Sequence, residues 1–204
     1  MPASFFLDGI CQRRLWRKSP ARWLIHALIF LPMAARMAWA LVALALGRWD
    51  PAGSLTQAML YKNAPVTALF FDLTGALVLA GVAMAVIRRL LRSKKPLPGL
   101  PRPDYAAMGL LAGVVLSGFI TEAARMAMTG AGAGMPYAFL GAGLSGLFSA
   151  GTGLQEAYGY IWYAHAICYA AFVAYLPFSR MRHILLAPLW LAFSSGSGRG
   201  KDLD

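Results

Sequence analysis

Long apolar stretches separated by short polar segments dominate the sequence, and four of them are long enough to cross a lipid bilayer. They run from about residue 23 to 46, 66 to 87, 105 to 128 and 158 to 178. A helix needs about 20 residues to cross a hydrocarbon core of about 30 Å. Because lipid offers the backbone no hydrogen-bond partners, the pattern predicts an all-α integral membrane protein built as a four-helix bundle.

The segment 130–153 is the one stretch that this pattern leaves open. It contains eight glycines around an apolar middle. Such a composition favours a re-entrant or interfacial outer loop, and a fifth span is the alternative.

Composition agrees with membrane insertion. Hydrophobic residues make up 59% of the chain and charged residues 13%, whereas a soluble domain has about 25% charged residues. So much apolar surface excludes a soluble globule, and it also excludes a disordered chain or a nucleic-acid-binding protein. The net charge is nevertheless +11, so the location of the basic residues becomes the informative question.

Basic residues lie almost entirely at one end of the predicted bundle. Fifteen of the 19 fall before the first stretch, between the second and third, or after the fourth. The positive-inside rule then places both termini in the cytoplasm. We therefore expect a multi-pass protein of the bacterial inner membrane. It would have a basic N-terminal segment (1–22) suited to anionic lipids, a transmembrane bundle (23–190) and a disordered tail (191–204).

Three histidines are candidates for function, because an ionisable side chain in lipid is costly without a partner. His26 and His183 both lie near the predicted cytoplasmic surface. His165 precedes His183 by 18 residues, about 27 Å of helix if the helix continues through Pro177. The two would then share one face, as a bundle with two stacked haems requires. The alternative for each is a histidine satisfied by packing.

The segments around these histidines resemble a known family. They are RWLIHALIFLPMAARM (22–37), GFITEAARM (118–126) and PFSRMRH (177–183), with the stretch from Asp72 to Arg89 and the linker KKPLPGLP (94–101). In them the chain resembles the respiratory nitrate reductase gamma subunit. It also resembles the related membrane cytochrome b subunits of sulfite-reductase-associated, heterodisulfide reductase and high-molecular-weight cytochrome complexes, to which it is nearer in size.

The resemblance implies a subunit of a multisubunit respiratory complex that transfers electrons between menaquinone and a partner iron–sulfur subunit on the cytoplasmic side. Other membrane subunits and an outer-face multihaem cytochrome c are further implied partners. The cofactor would be haem b, since no C-x-x-C-H motif for covalent attachment occurs. No residue is assigned a catalytic role, and no nucleic-acid partner is expected.

Carried over to this sequence, the family pattern makes His26 and His183 the ligands of one haem iron near the cytoplasmic surface. His165 would serve a second haem near the opposite surface. Where the family has the partner of that histidine, ten residues after His26, this chain has Arg36. Three interpretations stay open for His165: a haem with an unexpected ligand, a five-coordinate haem, or a quinone site. Candidates for the unexpected ligand are Met33 and Met37.

Four charged residues fall within the outer halves of the predicted spans: Arg36, Asp72, Glu122 and Arg125. An unpaired charge there costs roughly 2.5–3.5 kcal/mol, so we expect them to pair. In one interpretation, Arg36 forms a salt bridge with Asp72 or Glu122 that only locks the helices. In the other, the cluster stands beside His165 as a quinone pocket, or Arg36 binds a haem propionate.

Two other classes of protein fit the same pattern. One is a haem-free membrane anchor of a redox complex. The other is a small membrane subunit in which the four embedded charges carry protons or ions. Visible spectra distinguish these classes, because only bound haem b gives an alpha band when reduced.

Overall fold

The computed structural model describes residue 17 and residues 19–91, 104–130 and 132–182. Within these ranges the chain forms α-helices and short 3₁₀ helices and no strands. The α-helices are α1 (Pro20–Trp49), α2 (Ser54–Leu60), α3 (Pro65–Leu91), α4 (Tyr105–Thr129), α5 (Phe139–Ser145) and α6 (Thr152–Tyr175). The 3₁₀ helices are Gly132–Tyr137, Leu176–Phe178 and Arg180–Arg182.

The four predicted spans are confirmed as α1, α3, α4 and α6, each long and apolar enough to cross a membrane. Local sequence explains where two of them begin. Pro20 is at the start of α1, where its missing N–H has no intrahelical partner to lose. At the start of α4, the carboxylate of Asp104 accepts the N–H of Ala107 at 3.0 Å. The all-α fold class is therefore correct, and the orientation of the termini stays a prediction.

Helix packing follows a simple order, in which α1 packs on α3, α3 on α4, and α4 on α6. The core between them consists of Val78, Val82, Leu111, Val115, Phe119 and Phe172. Small residues allow close approach of α1 and α3, since a Cβ added at Gly81 would lie 2.7 Å from Ile29 Cγ1. No packing of comparable extent joins the described parts of α1 and α6, so the bundle is left open between these two helices.

The glycine-rich segment covers one end of the bundle. It forms the 3₁₀ helix Gly132–Tyr137 and the seven-residue α5, which at about 1.5 Å per residue is far too short to cross a bilayer. Gly130 and Gly132 have φ angles of 70° and 52°, which favour glycine. We call the end formed by α2, this 3₁₀ helix and α5 the loop end, and the opposite end the terminal end.

The fourth span departs from expectation after Tyr175. Instead of continuing through Pro177, α6 gives way to the 3₁₀ helices Leu176–Phe178 and Arg180–Arg182. Pro177 has no N–H to bond back along the helix, and its ring clashes with the preceding turn. The α-helix therefore does not continue through Pro177, and the condition under which His165 and His183 would share one helical face is not met. His183 itself lies outside the described residues.

The loop end is expected to face away from the cytoplasm, as the distribution of basic residues predicts. In a Cys11→Ser/Cys168→Ser background, Ser149→Cys places a thiol at an exposed position of the loop end. Ser93→Cys places one in the segment that joins α3 to α4. A membrane-impermeant maleimide added to spheroplasts should label the first thiol and spare the second until the cells are lysed. The reverse pattern would show the opposite insertion.

Candidate functional site

A cavity of about 780 Å³ lies between α1 and α6, with α3 and α4 forming its base. Its volume is within the range of about 300–1,000 Å³ that is usual for sites that hold small molecules or cofactors. Apolar and aromatic side chains form most of the wall, among them Phe71, Phe119, Tyr158, Trp162, Tyr169 and Phe172. The cavity exists because α1 and α6 are each held by a different inner helix.

Chemically active side chains from four helices meet at this cavity. The structure brings together there all four embedded charges and His165, which the sequence had suggested as a cluster. Met33 and Met37, the suggested alternative ligands, line the α1 side of the same cavity. The arrangement of partners within the cluster differs from the expected salt bridges.

Asp72 stabilises the glycine-rich segment. Its carboxylate accepts the backbone N–H groups of Leu140 at 2.6 Å and Gly141 at 3.2 Å, and the residue is only 4% exposed. These N–H groups lie in the first turn of α5, where no neighbour along the chain accepts them. A carboxylate on α3 thus holds α5 over the loop end, and the expected salt bridge from Arg36 to Asp72 is wrong.

Arg36 is bound by neutral acceptors on α3. Its Nε donates to Thr74 Oγ1 at 2.8 Å, and its Nη2 donates to the Phe71 carbonyl at 2.6 Å. Gly75 makes room for the guanidinium, because a Cβ there would lie 3.0 Å from Nη2. The alternative salt bridge from Arg36 to Glu122 is also wrong, and within the described residues Arg36 has no carboxylate partner.

Glu122 pairs along its own helix. Arg125 donates to the Glu122 carboxylate at 2.8 and 3.0 Å and to Asn63 Oδ1 at 2.7 Å. This is a salt bridge between residues three apart, with both side chains about three-quarters buried. The expectation that the embedded charges pair is therefore correct for these two residues, with a nearer partner than expected.

His165 is anchored through one ring nitrogen. Its Nδ1 lies 2.9 Å from Ser117 Oγ on α4. A Cβ added at Gly118 would lie 3.3 Å from His165 Cε1, so the ring rests against the α4 backbone. Among the described residues, the Val114 carbonyl is a further acceptor for the ring, and no side chain bonds Nε2. His165 thus has one nitrogen held and the other available at the cavity.

Lys62 is a member of the site that sequence reasoning did not single out. It lies between α2 and α3, lines the cavity, and places its Nζ 3.7 Å from the centre of the Phe71 ring. The sequence did contain a sign of it: Lys62 is one of only two basic residues on the side that the positive-inside rule disfavours. Neither Arg36 nor Lys62 forms an ion pair with a described carboxylate, because Asp72 binds α5 and Glu122 binds Arg125. Asp72 and Glu122 still act on these two cations at longer range.

A second cavity, of about 310 Å³, lies at the terminal end beside His26. Arg22, Arg88 and Met181 also line it. Because His183 is outside the described residues, the pairing of His26 with His183 stays a prediction. Within the described ranges, no three His, Cys, Asp or Glu side chains gather as a metal site.

The geometry defines an α-helical membrane protein with a polar, histidine-containing cavity in its bundle. No protein-family model matches the chain, and no solved structure is found to match it. Two curated proteins do, both named as the E subunit of dihydromethanophenazine:CoB–CoM heterodisulfide reductase. The one from Methanosarcina mazei is 26% identical over 191 residues, covering 93% of this chain and 66% of that protein. The one from Methanosarcina barkeri is 27% identical over 194 residues, covering 93% and 65%.

These matches make the chain a distant homologue of a membrane subunit of a redox complex. It spans slightly less than two thirds of the length of these relatives. The expected kinship with heterodisulfide reductase membrane subunits is confirmed at this level. The wider relation to the nitrate reductase gamma subunit stays a prediction.

Asp72→Ala is expected to lower the free energy of unfolding by about 2 kcal/mol, because it leaves the Leu140 and Gly141 N–H groups without their acceptor. Thermal unfolding of the purified protein in detergent measures the loss, and limited proteolysis at residues 132–150 should become faster. Glu156→Gln, a change to an exposed carboxylate on α6, is the control and should leave both unchanged. Equal stability and proteolysis in the two variants would contradict the role given to Asp72.

Proposed function

We propose that this chain is an electron-transfer subunit of a multisubunit membrane redox complex, and that the cavity beside His165 holds its redox-active ligand. The observation that carries the proposal is the joint presence, in one apolar cavity, of an imidazole with an available Nε2 and two cations that form no ion pair with a described carboxylate. The distant homology to a heterodisulfide reductase membrane subunit supports the same class of function.

The side chains around this cavity fit a b-type haem. His165 would hold the haem iron through its imidazole, and Met33 or Met37 on α1 would offer a thioether to the same iron. Arg36 and Lys62 supply the positive charge that propionate carboxylates require. The aromatic walls would exclude water from the ligand. A haem bound there would supply one-electron transfer.

Menaquinone is the second candidate for the same cavity, and the position of Glu122 favours it. Oxidation of a quinol releases two protons, which need acceptors within reach. The carboxylate of Glu122 and the imidazole of His165 both line the cavity. The gap between α1 and α6 would give a lipid-soluble molecule a path from the bilayer. In this case His165 serves the quinone, and the chain holds one haem.

That one haem is proposed for the terminal end, where His26 and His183 would hold its iron. His26 lines the smaller cavity, and Met181, which precedes His183 by two residues, lines it too. Arg22 and Arg88 contribute positive charge beside His26, suited to propionates. Imidazole ligands on both sides of the iron are typical of electron-transfer haems within helical bundles.

The partners and location are proposed on the same grounds. The named relatives are subunits of a heterodisulfide reductase, so other subunits of such a complex are the expected partners. A cytoplasmic iron–sulfur subunit would dock at the terminal end, near His26. An outer-face multihaem cytochrome c would approach the loop end. The bacterial inner membrane remains the proposed location.

Reduced-minus-oxidised spectra of the purified complex should show the alpha band of haem b, and pyridine haemochrome analysis should give one or two haems per chain. His26→Ala is expected to remove one haem. His165→Ala, made separately, should remove the other haem if the cavity holds haem. If the cavity holds menaquinone, it should leave the haem count of the wild type unchanged.

Cys168→Ser is the matched control for these variants. Cys168 lies on α6 three residues after His165 and does not line the cavity, so its replacement should leave the haem count unchanged. A complex that retains all its subunits and has no alpha band would overturn the proposal and favour a haem-free anchor or an ion-translocating subunit.

A further inference from the structure

The contact between His165 and Ser117 determines what the histidine can offer to the cavity. A neutral imidazole has one N–H and one lone pair, and the partner of one nitrogen fixes the state of the other. Ser117 Oγ lies 2.9 Å from His165 Nδ1 and 3.2 Å from the Val114 carbonyl oxygen. The chemistry of the cavity therefore depends on where the hydroxyl proton of Ser117 points.

The number of available protons determines where the hydroxyl proton of Ser117 points. The hydroxyl of Ser117 has one proton, and the Val114 oxygen can only accept. If that proton goes to the Val114 oxygen, the Nδ1–H of His165 can donate to Ser117 Oγ, and both contacts become hydrogen bonds. If it goes to Nδ1 instead, the contact with the Val114 oxygen has no proton. Only the first arrangement satisfies both distances, and bonding of serine to a carbonyl in the preceding turn is common within helices.

We propose that Ser117 is a positioning residue that holds His165 in its Nδ1–H tautomer, so that Nε2 presents a lone pair at the cavity. The inference rests on the proposed function for its biological meaning. It also restricts the chemistry that His165 can perform in that function. Nε2 could ligate iron or accept a proton released by a quinol. In the neutral state it could not donate a hydrogen bond to a quinone carbonyl.

Gly118 supports the same arrangement because it leaves room for the His165 ring. Its missing side chain lets the imidazole lie against α4, since a Cβ would stand 3.3 Å from Cε1 and 3.9 Å from Nε2. The 3.3 Å separation from Cε1 is tighter than most Cβ contacts, so the ring would have to move. Ser117 therefore sets the tautomer and Gly118 sets the position of the ring.

The test is ¹⁵N NMR of the full chain labelled at histidine and produced in a haem-deficient host, which makes the result independent of haem. His165→Gln identifies the signals of His165. In the wild type, Nε2 is expected to show the shift of an unprotonated nitrogen and Nδ1 that of an N–H. Ser117→Ala should reduce the ratio of the two tautomers by up to about tenfold, the factor that an ordinary hydrogen bond supplies.

Two further variants guard against a merely structural effect. Ser117→Thr keeps a hydroxyl that can bond the same carbonyl and should restore the wild-type tautomer ratio. Thr121→Val removes a hydroxyl one turn along α4 that, among the described residues, bonds only the Ser117 carbonyl, and it should leave the ratio unchanged. The signals of His26 report whether each variant is folded.

A wild-type His165 with its proton on Nε2, or a tautomer ratio that Ser117→Ala does not change, would overturn the inference whether or not the complex contains haem. Conversely, the expected tautomers in a chain whose complex has neither a haem nor a quinone at this cavity would uphold the inference and refute the proposed function. If haem is present, Ser117→Ala should also raise its midpoint potential, because the ligand loses a hydrogen bond that makes it a stronger donor.

Discussion

Lipid offers no hydrogen-bond partners, so every polar group inside this bundle must find its partner within the protein. This constraint accounts for the contacts of the embedded charges. Arg36 binds a carbonyl and a hydroxyl on α3, and Asp72 binds two N–H groups of α5. Glu122 and Arg125 bind each other. Once these partners are assigned, the cavity still offers a ligand a net positive charge, the Nε2 of His165 and the Glu122 carboxylate that Arg125 holds.

The same contacts explain how the cavity keeps its shape. Arg36 ties α1 to α3, while the core around Phe119 and Phe172 ties α6 to α4. The outer helices are thus held separately, and a gap remains between them for a ligand. Asp72 holds the glycine-rich segment over the loop end of this gap. Asp72 thus stabilises the wall of the site, although a sequence-based search for acid–base groups would select it as a reactive residue.

Periodic and compositional features predicted the coarse architecture and the membership of the site. Four helices could be predicted because about 20 apolar residues in a row have few alternatives to a transmembrane helix. The cluster of Arg36, Asp72, Glu122 and Arg125 could be predicted from its shared depth. Pairing could not, because opposite charges at one depth have several geometrically allowed partners. The fourth span was predicted to end near Phe178, which is confirmed. The change from α-helix to 3₁₀ helix after Tyr175 was not predicted, although Pro177 was visible in the sequence.

The sequence by itself determined that four helices are long and apolar enough to cross a membrane, and it determined which charges fall within them, because these features follow from length and order along the chain. The tertiary structure decided which polar side chains bond to other groups of the protein and which remain available to a ligand. Asp72 binds the N–H groups of α5, and Lys62 lines the cavity. Ser117 and Gly118 position His165. Such distances depend on how helices rotate and pack, which no local pattern encodes.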